Sequence, residues 1–137
     1  MDPNFGLAHF YMGVLYSDKR MYKEAIPEFQ KAIELTGGLS RAYGNLGYAY
    51  AMLGQKDEAE KILHALEERS KEEYIRSTTL IPIYGALGDI NKALECYEKA
   101  MEERDPILTH IKVLPELDAL RQDPRFKVLL KKMNLDR

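Results

Sequence analysis

The chain of 137 residues has no tryptophan, one cysteine and three histidines, and its 20 Lys and Arg nearly balance its 22 Asp and Glu, for a formal charge of −2. Each shortage excludes something. A lone Cys96 cannot close an internal disulfide, and His9, His64 and His110 are too far apart in sequence to form a ligand motif, so no metal is expected. The near-neutral balance argues against binding nucleic acid or an anionic membrane through bulk charge. No apolar run approaches the ~20 residues that span a bilayer. The start Met1-Asp2-Pro3-Asn4 lacks the basic and long apolar segments of a secretion signal, so the cytoplasm is the expected compartment. Neither G-x-G-x-x-G nor a Lys-terminated phosphate loop occurs, and no catalytic group or cofactor is expected. Cys96, beside Tyr97 on an amphipathic segment, reads as a structural thiol. What the chain does have is apolar content, 45%, enough for a core.

That content is periodic. Gly13 and Gly47 lie 34 residues apart, as do Leu53-Gly54 and Leu87-Gly88; Tyr16, Tyr50 and Tyr84 keep the step, as do Met12, Leu46 and Leu80. Ala25, Ala59 and Ala93 repeat it, followed by Phe29, Leu63 and Tyr97. Within each unit, apolar residues recur at three- and four-residue steps, for example Tyr22, Ala25, Ile26, Phe29, Ala32 and Ile33, which predicts amphipathic helices. Thr36-Gly37-Gly38, Gly54 and Gly88 stop helices; Ser40 and Asp89 are placed as N-caps. Short connections require antiparallel hairpins, and no segment alternates with the two-residue step of a strand, so the fold is all-α. Small residues at Gly13, Gly47, Ala25, Ala59 and Ala93 suit the crossing points of closely packed helices. Pro82 predicts that its helix starts late, at Thr78 or Thr79, and Pro27 predicts a local kink.

A 34-residue helix–turn–helix unit with these columns resembles the tetratricopeptide repeat. The resemblance spans residues 4–106 and implies an α-solenoid, a right-handed superhelix of three antiparallel hairpins at about 5–37, 40–70 and 74–104, with atypical capping helices over 107–137. In the cap, Phe126, Leu129, Leu130 and Met133 would cover the end of the third unit. The string from Leu117 to Met133 is similar to the closing segment of tetratricopeptide regions in prokaryotic multidomain signalling proteins, which follow an effector domain. Together with a first helix that is apolar on nearly every face, it implies a domain fragment whose missing part lies upstream. From Arg121 onward six basic residues face two acidic ones, but no stacking aromatics accompany them, so nucleic acid remains an unexpected partner.

The resemblance implies a non-enzymatic protein-interaction module that holds a peptide or helix in the concave groove lined by first helices. In register, the lining residues are Leu7, Phe10, Tyr11 and Val14, then Arg41, Gly44, Asn45 and Tyr48, then Ile75, Thr78 and Thr79. Tyr11 and Tyr48 are the expected aromatic anchors, Asn45 the group pairing with a peptide backbone, and Arg41 the contact to an acidic group. Members of the family that clamp a carboxylate terminus place Lys and Asn where Phe10 and Val14 stand here, Asn where Asn45 stands, and Lys and Arg where Ile75 and Thr79 stand; only Asn45 matches, so that specificity is not expected. Homodimerisation through exposed solenoid ends is the second reading, and a small-molecule-sensing pocket the third. No membrane contact is expected.

Overall fold

In the computed structural model, the described residues are 3–103 together with 124, 125, 127 and 128. They are helical throughout their regular structure, with no strand among them: α1 (Pro3–Asp18), α2 (Tyr22–Thr36), α3 (Ser40–Met52), α4 (Lys56–Ser70), α5 (Ser77–Leu87) and α6 (Ile90–Glu102). Most of the capping segment expected over 107–137, Phe126 included, lies outside the described residues. The chain divides into two compact units, Met1–Ile75 and Arg76–Arg137.

In the first unit α2 packs against both α1 and α3, and α4 packs against α3. The α2 stripe Ala25, Phe29 and Ala32 is buried among Phe10 of α1 and Ala42 and Leu46 of α3. Small, large, small is the pattern that lets helices approach closely while one ring fills the space between them. The approach is close at Gly13, where an added Cβ would stand 2.5 Å from Phe29 Cε1. At the rim of the same pair His9 Nδ1 lies 2.7 Å from Glu28 Oε2. Gln30 Nε2 donates across to the Tyr50 hydroxyl on α3 at 3.1 Å. The α4 stripe is the same three columns 34 residues on, Ala59, Leu63 and Leu66, and α6 of the second unit repeats them as Ala93, Tyr97 and Ala100.

The helix ends show both the repeat and its exception. Gly54 and Gly88 adopt φ of 80° and 82°, and the next residue's N–H closes each end, Gln55 on the Tyr50 carbonyl and Asp89 on the Tyr84 carbonyl, both at 2.9 Å. In the first hairpin, Met21 N–H meets the Tyr16 carbonyl at 2.8 Å in the same way, but the left-handed position is filled by Arg20, with φ 62°. A side chain there crowds its own carbonyl, a strain glycine avoids. Gly37 caps α2 at φ 73°, as Thr36-Gly37-Gly38 predicts.

Two local expectations are corrected. Ser40 is the first residue of α3 and makes no cap; the Thr36 hydroxyl instead accepts from Leu39 N–H at 3.1 Å while donating to the Ala32 carbonyl at 2.7 Å. One side chain thereby joins the end of α2 to the start of α3. The helix holding Pro82 starts earlier than expected, at Ser77, which puts Pro82 in its second turn. Ser77 and Thr78 of its first turn are buried, and Ser77 Oγ donates to Glu103 Oε1 at 3.1 Å. Pro27 also sits in the second turn of its helix, α2, which continues to Thr36, and is exposed. The Asp89 cap is present, accepting from Lys92 N–H at 3.2 Å. Near the far end of the second unit, Arg125 Nη1 donates to Asn91 Oδ1 at 2.7 Å.

Two stability predictions come from these contacts. Gly13→Ala gains about 1 kcal/mol of helix propensity but overpacks the Phe29 ring at a cost of about 1–3 kcal/mol. Urea denaturation should therefore show a net loss, which disappears in a Phe29→Leu background; an equal loss in both backgrounds would assign the cost elsewhere. Arg20→Gly relieves about 1–2 kcal/mol of left-handed strain against about 0.5–1 kcal/mol of added chain entropy. The melting temperature should rise, and a fall would show that Arg20 has a compensating contact.

Candidate functional site

The core of the first unit closes without several of its large side chains. On α1, Leu7, Tyr11 and Val14 follow one another at steps of four and three residues and so share a face; Leu7 is 39% exposed, Tyr11 57% and Val14 half-buried. Phe10, one residue away, turns inward and is buried. Its ring packs 6.1 Å from Phe29 and, edge-on, 5.5 Å from Tyr11. Buried Phe10 thus supports the exposed tyrosine.

α3 supplies the polar part. Arg41, in its first turn, lays its guanidinium 5.1 Å from the Phe10 centroid, joining α1 and α3 across the face. A cation over a ring is held by the ring's quadrupole while its N–H groups stay directed to solvent. Arg41 is exposed and forms no ion pair among the described residues. Asn45 lies one turn farther on the same face, half-buried, with no side-chain hydrogen bond among the described residues. The result is an apolar strip, Leu7, Tyr11 and Val14, bordered by one positive charge and one amide with both donor and acceptor capacity.

The other expected groove residues are placed differently. Tyr48 is only 5% exposed, its ring edge-on at 5.9 Å to Tyr22, the first residue of α2, so it is a packing residue and the expectation that it anchors a ligand is corrected. The cause is the tight turn after α1, which brings α2 in on a tyrosine that needs cover. Phe10 and Gly44 are buried as well, and so are Ile75 in the first unit and Thr78 in the second, while Thr79 is half-buried. Leu7, Tyr11, Val14, Arg41 and Asn45 remain as the addressable set. Sequence reasoning did not find the Arg41–Phe10 contact, nor that of Arg69 on α4 over the Tyr43 ring on α3 at 5.3 Å.

Reactive chemistry finds little support. The Cys96 thiol is pushed up to about 11, mainly by burial and then by Glu95, which keeps it protonated at neutral pH. Burial likewise pushes the Tyr97 hydroxyl up to about 12. Among the described residues no three His, Cys, Asp or Glu side chains gather to hold a metal ion. No helix among them is long and apolar enough to cross a membrane.

Comparison with known proteins bears on the repeat. Residues 18–78 match a tetratricopeptide repeat family and residues 83–105 match a second family of the same description. The chain is similar to the anaphase-promoting complex subunit 3 of Schizosaccharomyces pombe, at 26% identity over 135 residues, covering 88% of this chain. It spans 20% of that protein's length. No solved structure matches.

Proposed function

We propose that this chain, an all-α protein carrying tetratricopeptide repeats over residues 18–78 and 83–105, holds a peptide or helix of a protein partner against the α1 and α3 face of its first unit. Tetratricopeptide repeats generally mediate protein–protein interaction and are typically non-catalytic, and the similar fission-yeast protein is by its name a subunit of a complex. The observation that carries the finer reading is the division within α1: Phe10 completes the core, whereas Leu7 and Tyr11 contribute exposed apolar surface beside Arg41 and Asn45. The proposed ligand is a segment with an apolar side chain for the Leu7–Tyr11 strip and an acidic side chain or terminus for Arg41. It comes from a separate protein or from an effector domain in the same polypeptide, in the cytoplasm. Asn45 pairs with the ligand's backbone.

Interface energy concentrates in a few aromatic and arginine contacts. Tyr11→Ala should weaken a peptide selected from a displayed library by about 1–3 kcal/mol. Because the Tyr11 ring is mostly in water already, the melting temperature by circular dichroism should stay nearly unchanged. A titration in which Tyr11→Ala leaves affinity intact, or a variant that loses stability and binding together, would remove this face from the function.

A further inference from the structure

A second face of α1 is also exposed, and the repeat register says what kind of surface it is. Subtracting 34 from Leu39, Ala42, Leu46 and Ala49 of α3 gives Phe5, Ala8, Met12 and Leu15 of α1. On α3, Ala42 and Leu46 are buried in the cluster with Ala25, Phe29 and Ala32 of α2, with Leu39 packed against it. On α1 the equivalent residues stand in water: Phe5 is 64% exposed, Met12 44% and Leu15 55%, with Ala8 exposed between them. The stripe is the register equivalent of the α3 face that packs against α2 in the same chain, and has the chemistry to receive a helix.

We propose that a second copy of this chain covers it, with the two α1 helices antiparallel, Phe5 against Leu15 and Ala8 against Met12 of the other copy. The steps of three, four and three residues form an a/d heptad seam, the spacing that keeps two helices in contact along their length. A two-fold axis at the level of residue 10 makes the seam self-complementary: the large Phe5 and Leu15 meet at its ends, and the small Ala8 leaves room for Met12 at its centre. No charge opposes the pairing, since α1 carries no Asp, Glu, Lys or Arg before Asp18. The surface is modest, four side chains per copy against roughly 20–30 residues a side in a standard interface, so the dimer is weak and concentration-dependent. It does not rest on the peptide-binding reading: Leu7, Val14 and Arg41 lie on a different face, and Tyr11 borders both.

Sedimentation velocity of the intact chain from ~10 µM to ~1 mM should show the mass rising toward that of two copies, a range suited to a weak complex. Met12→Glu with Leu15→Glu should hold it at one copy with an unchanged circular dichroism spectrum. As a check on register that survives if that variant misfolds, Ala8→Cys with Met12→Cys in a Cys96→Ser background should oxidise to a covalent dimer at high concentration. A monomer at every concentration, a glutamate variant that still dimerises, or the absence of a disulfide between copies in the double-cysteine variant would overturn the proposal. So would a chain that stays monomeric but binds an added peptide of residues 22–36 at this stripe, because the face would then take a foreign helix. None of these results alters the peptide titration of Tyr11→Ala.

Discussion

The packing of Phe29 against Gly13 is the constraint on which the rest of the first unit depends. With no Cβ at Gly13, α1 and α2 come close enough for the Phe29 ring to fill their crossing, and the same ring lies in one buried cluster with Phe10, Ala42 and Leu46. A ring held on three sides orients all three helices, since a close-packed interior has few alternative arrangements of comparable volume. Phe10 is thereby turned inward and Tyr11 outward, and Arg41 is brought over the Phe10 ring. The candidate binding face is therefore a consequence of core packing.

Much of this was legible because the repeat is written in residue sizes. Glycine, alanine and aromatic columns at a step of 34 report helix crossings directly, and their three-dimensional counterparts are the buried stripes of α2, α4 and α6. Arg20 escaped notice for the opposite reason. Its position is in register with Gly54 and Gly88, but an arginine side chain gives no sign of a left-handed backbone, which the φ angle and the repeated hydrogen bond back to Tyr16 show. Ser40 misled because a good capping residue stood next to a threonine that does the joining work one turn earlier. Register placed the lining helices but could not separate Tyr48 from Tyr11. That distinction depends on whether a neighbouring ring, Tyr22, arrives to cover one of them.

α1 consequently presents three surfaces with different physical roles. One, built on Gly6, Phe10 and Gly13, is buried in the unit; another carries Leu7, Tyr11 and Val14; the third, from Phe5 to Leu15, is the register equivalent of the α3 face that packs on α2. An all-round apolar helix normally signals complete burial. Here the same composition covers one buried face and two exposed ones, with no Asp, Glu, Lys or Arg before Asp18.

The central claim is that folding and recognition use different residues of α1 and α3. The most direct measurement is amide chemical-shift mapping of the whole chain during titration with a library-selected peptide. The account predicts that the largest shifts cluster at Leu7, Tyr11, Val14, Arg41 and Asn45, with little change along the Phe5–Leu15 stripe or on α4. Shifts concentrated on α4 or on the outer side of α2, with the Tyr11 and Arg41 signals unmoved, would contradict it.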